Sequence, residues 1–296
     1  MRDPVFTGAC PAIITPFDPN GAINYNSLGM LIDRQIEAGV DAICICGTTG
    51  EASSLSPQEH TSVIKYCVQR VNKRVKVIAG AGSNSTSSAA YLSQQAQDCG
   101  ADALLLVTPY YNKTNQTGLL KHYEFIACHV NIPIILYNVP SRTGISFTAE
   151  TYKILSENPK FNGTKEASGN LSLLTHVRLL CGDDFNIWSG NDDQVVPMMS
   201  LGAKGVISVV CNILPELMIA MTHSCLNGDY AAASKIQIKY ADFIDSLFID
   251  VNPIPLKQAM NLVGMNAGSL RLPLYEMSEK NQACLKNAMN RVGLLC

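Results

Sequence analysis

Short, almost wholly apolar runs alternate along the chain with longer segments whose apolar residues recur at helical spacing. The short runs are CPAIITP, AICICG, KVIAGAG, ALLLVTP, PIILYNVP, FNGTKE, NIWSG and GVISVV. Continuous apolar runs of this length mark strands covered on both faces, as in parallel sheets. Between them, Leu28, Leu31, Ile32, Gln35 and Ile36 fall on one helical face, as do Val63, Ile64, Cys67 and Val68. Ser56-Pro57-Gln58-Glu59 reads as a helix start, with Ser at the N-cap, Pro at the first helical position and Glu at the third.

The candidate strands end near Thr15, Gly47, Gly80, Thr108, Tyr137, Lys165, Gly190 and Ser208, about one βα unit apart. Eight such units predict an α/β fold, a (β/α)8 TIM barrel over residues 1–226. A doubly wound sheet is the alternative, but no GxGxxG follows the first strand. From about Asn227 the strand-like runs stop. Ala231, Ile236, Ile238, Phe243 and Leu247 keep helical spacing, so residues 227–296 are expected to be a helical extension packed on the barrel or on a partner subunit.

Composition narrows the function classes. The 296 residues are 47% hydrophobic and 16% charged, with net charge −2. No basic run or aromatic-interleaved Lys/Arg stripe points to nucleic acid. No apolar run reaches the roughly 18 residues of a membrane span, and Asp3, Pro4, Pro11 and Pro16 interrupt what could otherwise be a signal peptide. A cytosolic location is expected. The 11 cysteines form no CxxC pair and read as reduced thiols. The five histidines form no HxH or HExxH pair, so no metal is expected.

In such barrels the C-terminal strand ends line the active site. Lys165 falls there, inside GTKEASGN. Its stem could simply pack in the barrel mouth while its head snorkels to water. Other strand ends weigh against that: Tyr137 in YNVPSRTG with Arg142 five residues on, Thr48 and Thr49 in GTTGE, and the tyrosines of TPYY. A neutral lysine amine attacks a ketone to give a Schiff base, and desolvation or a nearby Arg142 would favour the neutral form. A tyrosine can shuttle the protons, and the N–H groups of a GTTG turn can hold a carboxylate.

Together GTTGE, TPYYN, YNVPSRTG, GTKEASGN and the later NPIPLKQAM resemble the dihydrodipicolinate synthases over essentially the whole chain. These are pyruvate-dependent class I aldolases related to N-acetylneuraminate lyase. The resemblance implies a barrel with a C-terminal helical domain, assembled as a homotetramer of tight dimers and using no cofactor. It implies condensation of pyruvate with aspartate semialdehyde in lysine and diaminopimelate biosynthesis. By the same resemblance Lys165 forms the Schiff base, and Tyr137, Thr48 and Tyr111 make the proton relay, Tyr111 in the neighbouring subunit's site. Thr49 and the GTTG backbone hold the pyruvate carboxylate, Arg142 receives the semialdehyde carboxylate, and the backbones of Gly190 and Ile207 close the pocket.

Two other readings stand beside this one. One is a pyruvate aldolase or lyase acting on another aldehyde or sugar acid, although the sialic acid lyases carry a different sequence after YN.P. The other is a non-catalytic barrel that binds a small acid. Regulation is where the chain departs from part of the family. It keeps His60, Asn84 and Tyr110 of the cluster that binds inhibitory lysine, but has Ala52, Pro57 and Ser88 where serine, histidine and glutamate are common. Weak or absent inhibition by lysine is therefore expected.

Overall fold

The protein is described by a computed structural model over residues 2–295. Its eight strands are β1 (Gly8–Pro11), β2 (Ala42–Ile45), β3 (Lys76–Gly80), β4 (Ala103–Val107), β5 (Ile134–Asn138), β6 (Phe161–Glu166), β7 (Asn186–Ser189) and β8 (Gly205–Ser208). All pair in parallel, in the order β1-β8-β7-β6-β5-β4-β3-β2. A parallel bridge between Ala12 and Cys44 joins the first strand's continuation to β2 and closes the ring. The fold is the (β/α)8 barrel that the strand spacing predicts.

Helices α1 (Tyr25–Ala38), α2 (Pro57–Val71), α3 (Thr86–Asp98) and α4 (Gln116–Cys128) follow the first four strands. A single helical turn, α5 (Pro140–Thr143), precedes α6 (Ala149–Ser156), and α7 (Leu171–Cys181), α8 (Val195–Ser200) and α9 (Pro215–Leu226) complete the units. The C-terminal helices are α10 (Tyr230–Lys239), α11 (Ala241–Ser246), α12 (Ile254–Leu262) and α13 (Glu279–Arg291). No helix among the described residues is long and apolar enough to cross a membrane.

Strand alternation divides the core in two. Ile135 and Tyr137 of β5 face the barrel interior with Cys10, Cys44, Ile78, Leu105, Trp188 and Ile207. Ile134 and Leu136 face outward into the larger layer beneath the helices. Inside, Phe6 stacks on Trp188 with ring centroids 5.3 Å apart, and the indole N–H donates to the Phe6 carbonyl at 3.1 Å. The local signals behave as their chemistry requires. The Ser56 hydroxyl accepts the Glu59 N–H at 3.2 Å and the Glu59 carboxylate accepts the Ser56 N–H at 2.9 Å, which caps both ends of the first turn of α2.

One expectation is corrected and one alternative is left to a partner surface. The first strand ends at Pro11 rather than near Thr15, because Asn212 takes the Ile14 N–H at 3.1 Å and draws the chain off the ladder. Ile238 shares the helical spacing of α10 yet is 75% exposed, so that spacing does not place it on this chain's core. The ten described cysteines are free thiols, most of them buried.

Candidate active site

Lys165 and Tyr137 are directly opposed on neighbouring strands and point into the barrel. Lys165 is only 6% exposed, so its head does not reach water as a snorkelling lysine's would. Its Nζ lies 4.5 Å from the centre of the Tyr137 ring. The next residue of each strand faces the other way and fixes the pair. The Asn138 amide donates to both Glu166 carboxylate oxygens at 3.1 and 3.0 Å, and the Tyr152 hydroxyl and Ser168 N–H donate to the same carboxylate at 3.0 and 2.7 Å. Burial pushes the Glu166 carboxyl up, and these donors oppose the shift. The outward face thus anchors the strand end from which the amine projects.

Gly190 sits at the end of β7 because Lys165 leaves no room beside it. A Cβ there would stand 2.7 Å from the Ala167 Cβ and 3.0 Å from the Lys165 Cε. Ile207, on β8, is fully buried in the same interior layer. Asp192 braces these ends: its Oδ2 accepts the N–H groups of Val209 and Val210 at 2.9 and 3.1 Å. Burial pushes its carboxyl up, against which its hydrogen bonds and the charge of Lys165 act.

The turn after β2 provides a second set of donors. Gly50 N–H closes on the Gly47 carbonyl at 3.1 Å and Glu51 N–H on the Thr48 carbonyl at 3.0 Å. The Thr15 hydroxyl donates to the Gly50 carbonyl at 2.7 Å. The N–H groups of Thr48 and Thr49 have no acceptor among the described residues, which leaves two donors for an anion. Thr49 is buried, and its hydroxyl accepts from the Asn252 amide at 3.0 Å.

Arg142 projects from α5 and donates to the Asn252 backbone carbonyl at 3.2 Å. One residue from the C-terminal segment therefore touches both the GTTG turn and the guanidinium. The Asn252 Oδ1 is buried without a partner among the described residues. Sequence reading assigns no role to Asn252; its place in NPIPLKQAM is the one available signal. The Thr108 hydroxyl, just past β4, donates to that of Thr143 on α5 at 3.0 Å.

A cavity of about 400 Å³ opens over this rim. Its lining includes Thr48, Tyr137, Arg142 and Thr143, and also Ala52, Ser53, His60, Ser83 and Tyr110. Lys165 adjoins it through Tyr137. Tyr111 is not among its lining residues: the side chain is 91% exposed and the backbone left-handed at φ 70°. No group of three or more His, Cys, Asp or Glu placed to hold a metal occurs among the described residues. The assembled groups can form an imine with a ketone, hold its carboxylate and move protons at the same carbon.

Comparison with known proteins gives one family. The model of the Dihydrodipicolinate synthetase family matches residues 5–292. The 4-hydroxy-tetrahydrodipicolinate synthase of Acetivibrio thermocellus is 51% identical over 295 residues, covering 100% of each chain. The structure of DHDPS from Cyanidioschyzon merolae with lysine bound superposes with a TM-score of 0.95 at 37% identity, covering 99% of this chain and 100% of that one. A monomeric dihydrodipicolinate synthase variant matches equally, with a TM-score of 0.95 at 37% identity over 98% of each chain.

Proposed function

The chain belongs to the dihydrodipicolinate synthetase family, and from that membership we propose how its own residues carry the reaction. The protein is a lyase of amino-acid biosynthesis that condenses pyruvate with L-aspartate 4-semialdehyde to 4-hydroxy-tetrahydrodipicolinate, on the route to diaminopimelate and lysine.

Lys165 is the nucleophile. Its amine adds to the pyruvate ketone, and loss of water gives an imine whose positive nitrogen stabilises the enamine formed when the methyl group loses a proton. Tyr137, whose ring centre lies 4.5 Å from the amine nitrogen, takes and returns those protons, with Thr48 linking it to Tyr111. Thr49 and the free N–H groups of the turn hold the pyruvate carboxylate. The enamine carbon then attacks the aldehyde of the second substrate, whose carboxylate Arg142 receives. The backbones of Gly190 and Ile207 close the pocket. The semialdehyde's amine can displace Lys165 from the imine carbon, which forms the ring and frees the enzyme.

Tyr111 serves a neighbouring subunit's site, in a homotetramer built as a dimer of dimers. We divide the chain into a catalytic barrel of residues 1–226 and a helical part of residues 227–296, and place its work in the cytosol without cofactor or metal.

The observation that carries the assignment of roles is Lys165, buried to 6% exposure against Tyr137 at a barrel strand's C-terminal end. Borohydride reduction in the presence of pyruvate should leave the adduct on the peptide containing Lys165, and Lys165→Ala should abolish both adduct and condensation. An adduct on Lys113, Lys204 or Lys257 would overturn the assignment.

A further inference from the structure

The GTTG turn lies between two non-glycine residues in the left-handed region, Cys46 at φ 54° and Glu51 at φ 53°. Both are buried. A side chain with a Cβ disfavours that conformation, which persists only where the surroundings over-determine it. On the Cys46 side the surroundings are the apolar layer beneath the helices. On the Glu51 side they are an ion pair that the proposed chemistry does not use.

The Glu51 Oε1 lies 2.5 Å from the Lys257 Nζ, with both side chains almost wholly buried. The other oxygen accepts the Arg271 N–H at 3.1 Å. Lys257, on α12, also donates to the Ser269 carbonyl at 2.7 Å and lies over the Phe17 ring, 4.4 Å from its centre. The Arg271 guanidinium lies over the same ring at 4.3 Å. Burial draws the Lys257 ammonium down, and the Glu51 charge opposes this.

A buried pair of this kind is weak evidence for stability, since well-packed apolar residues hold a fold at such places as well or better. What apolar residues cannot supply is a directed pull. The carboxylate is drawn toward α12 while its own N–H closes on Thr48. This pins the last residue of the turn and sets where the free N–H groups of Thr48 and Thr49 point.

We infer that Glu51 and Lys257 are positioning residues for the first half-reaction: their buried pair holds the Gly47–Glu51 turn in the shape that meets the ketoacid's carboxylate. The inference rests on the reading of that turn as the carboxylate cradle. Neither side chain touches the substrate. The C-terminal helices thereby act on the first substrate from behind the turn.

The test compares pyruvate with pyruvamide, which keeps the ketone and the planar end group but lacks the charge, by cyanoborohydride trapping on the full-length protein. The double variant Glu51→Leu/Lys257→Met replaces the pair with apolar bulk. With a thermal midpoint near that of the unmodified enzyme, it should need roughly ten- to a hundredfold more pyruvate for half-maximal trapping. Pyruvamide trapping should be unchanged. A folded double variant that keeps the full preference for pyruvate overturns the inference, as does an equal loss for both ketones, which is what a merely structural pair would give. Should the double variant not fold, Glu51→Asp carries the same comparison, because it keeps the charge on a shorter arm. If the unmodified enzyme itself fails to prefer pyruvate over pyruvamide, the reading of the turn falls and the inference with it.

Discussion

The Lys165 side chain and the Tyr137 ring are register partners on adjacent parallel strands, with Nζ 4.5 Å from the ring centre. Their separation is therefore set by the spacing of hydrogen-bonded strands, about 4.8 Å, and not by loops. Sheet geometry is the stiffest frame a barrel offers, so an amine and a phenol placed this way keep their relation as the cavity fills and empties. The other side of the amine is bounded as tightly, by the absence of a side chain at Gly190.

Gly190→Ala should therefore disturb chemistry more than folding. The added methyl group would stand 3.0 and 3.1 Å from the Lys165 Cε and Cγ and 2.7 Å from the Ala167 Cβ. Overpacking of this kind costs about 1–3 kcal/mol of stability. A nucleophile pushed aside by about an ångström can lose about a hundredfold in rate. The expected outcome is a folded enzyme whose pyruvate adduct still maps to Lys165 but forms slowly. Unchanged trapping kinetics would show that the lysine stem can shift freely.

Arg142→Ala should separate the two half-reactions. The guanidinium is exposed and donates to the Asn252 carbonyl, while the turn assigned to pyruvate is built from other groups. Loss of a charge-assisted bond to the second substrate should cost about 1.5–3 kcal/mol of transition-state binding. Condensation should fall accordingly, with pyruvate trapping nearly intact, and Arg142→Lys should restore little because a point charge lacks the two-pronged geometry. Equal loss in both assays would assign Arg142 to the first step or to the fold.

How far the sequence discloses this site depends on the range of the forces involved. The strands, the α2 capping box and the placement of Lys165 and Tyr137 at strand ends follow from patterns spanning a few residues, and all are legible. The end of the first strand is not, because Asn212 terminates it from the other end of the barrel sequence. Asn252 is likewise invisible: its partners Thr49 and Arg142 lie 203 and 110 residues away. The exposed Ile238 marks the same limit from the other side, since helical spacing says which face is apolar and not what covers it.

Acid should weaken the fold through His122. Its Nδ1 meets the Thr86 hydroxyl at 2.9 Å, its Nε2 has no partner among the described residues, and burial pulls its pKa down to about 4. The native state keeps the ring neutral where the unfolded chain, with a pKa near 6.5, has already bound a proton. Stability is thus fully present above about pH 6.5 and lost as pH falls toward 4, on the order of 2–3 kcal/mol in all. His60, also lowered by burial, acts in the same direction, and the raised Glu166 in the opposite one. The informative quantity is therefore the unfolding free energy of His122→Gln minus that of the unmodified protein, at pH 7 and at pH 4.5. A difference that does not change with pH would remove His122 from the account.

Lysine should inhibit this enzyme weakly or not at all. The cavity lining keeps His60 and Tyr110, but Ala52 stands there where serine is common, and no carboxylate lines the cavity among the described residues. His60 is already engaged, its Nε2 lying 2.7 Å from the Gly80 carbonyl. An ammonium ligand without its charged partner typically loses ~2–5 kcal/mol. A lysine titration of condensation should show little effect below millimolar concentrations, and Ser88→Glu should strengthen inhibition by about tenfold or more. Strong inhibition of the unmodified enzyme would mean that other polar groups or waters replace the missing carboxylate.

Tyr111 provides the test of shared sites. A tyrosine that is 91% exposed and held at φ 70° gains nothing within its own chain, while its neighbour Tyr110 lines the cavity. The left-handed backbone alone costs about 1–2 kcal/mol. Insertion into a second subunit's site would offset that cost by burying the ring and placing the hydroxyl beside a relay it cannot reach at home. Tyr111→Phe keeps the ring and removes the hydroxyl; Lys165→Ala removes the nucleophile; each homodimer should be nearly inactive. In a two-fold mixed dimer one site regains both groups and the other has neither, so random equimolar mixing should restore about a quarter of the original activity. Mass spectrometry verifies the mixed dimers and a condensation assay reads the recovery. No recovery in verified mixed dimers would mean that each site is built from a single chain and that Tyr111 has no part in the relay.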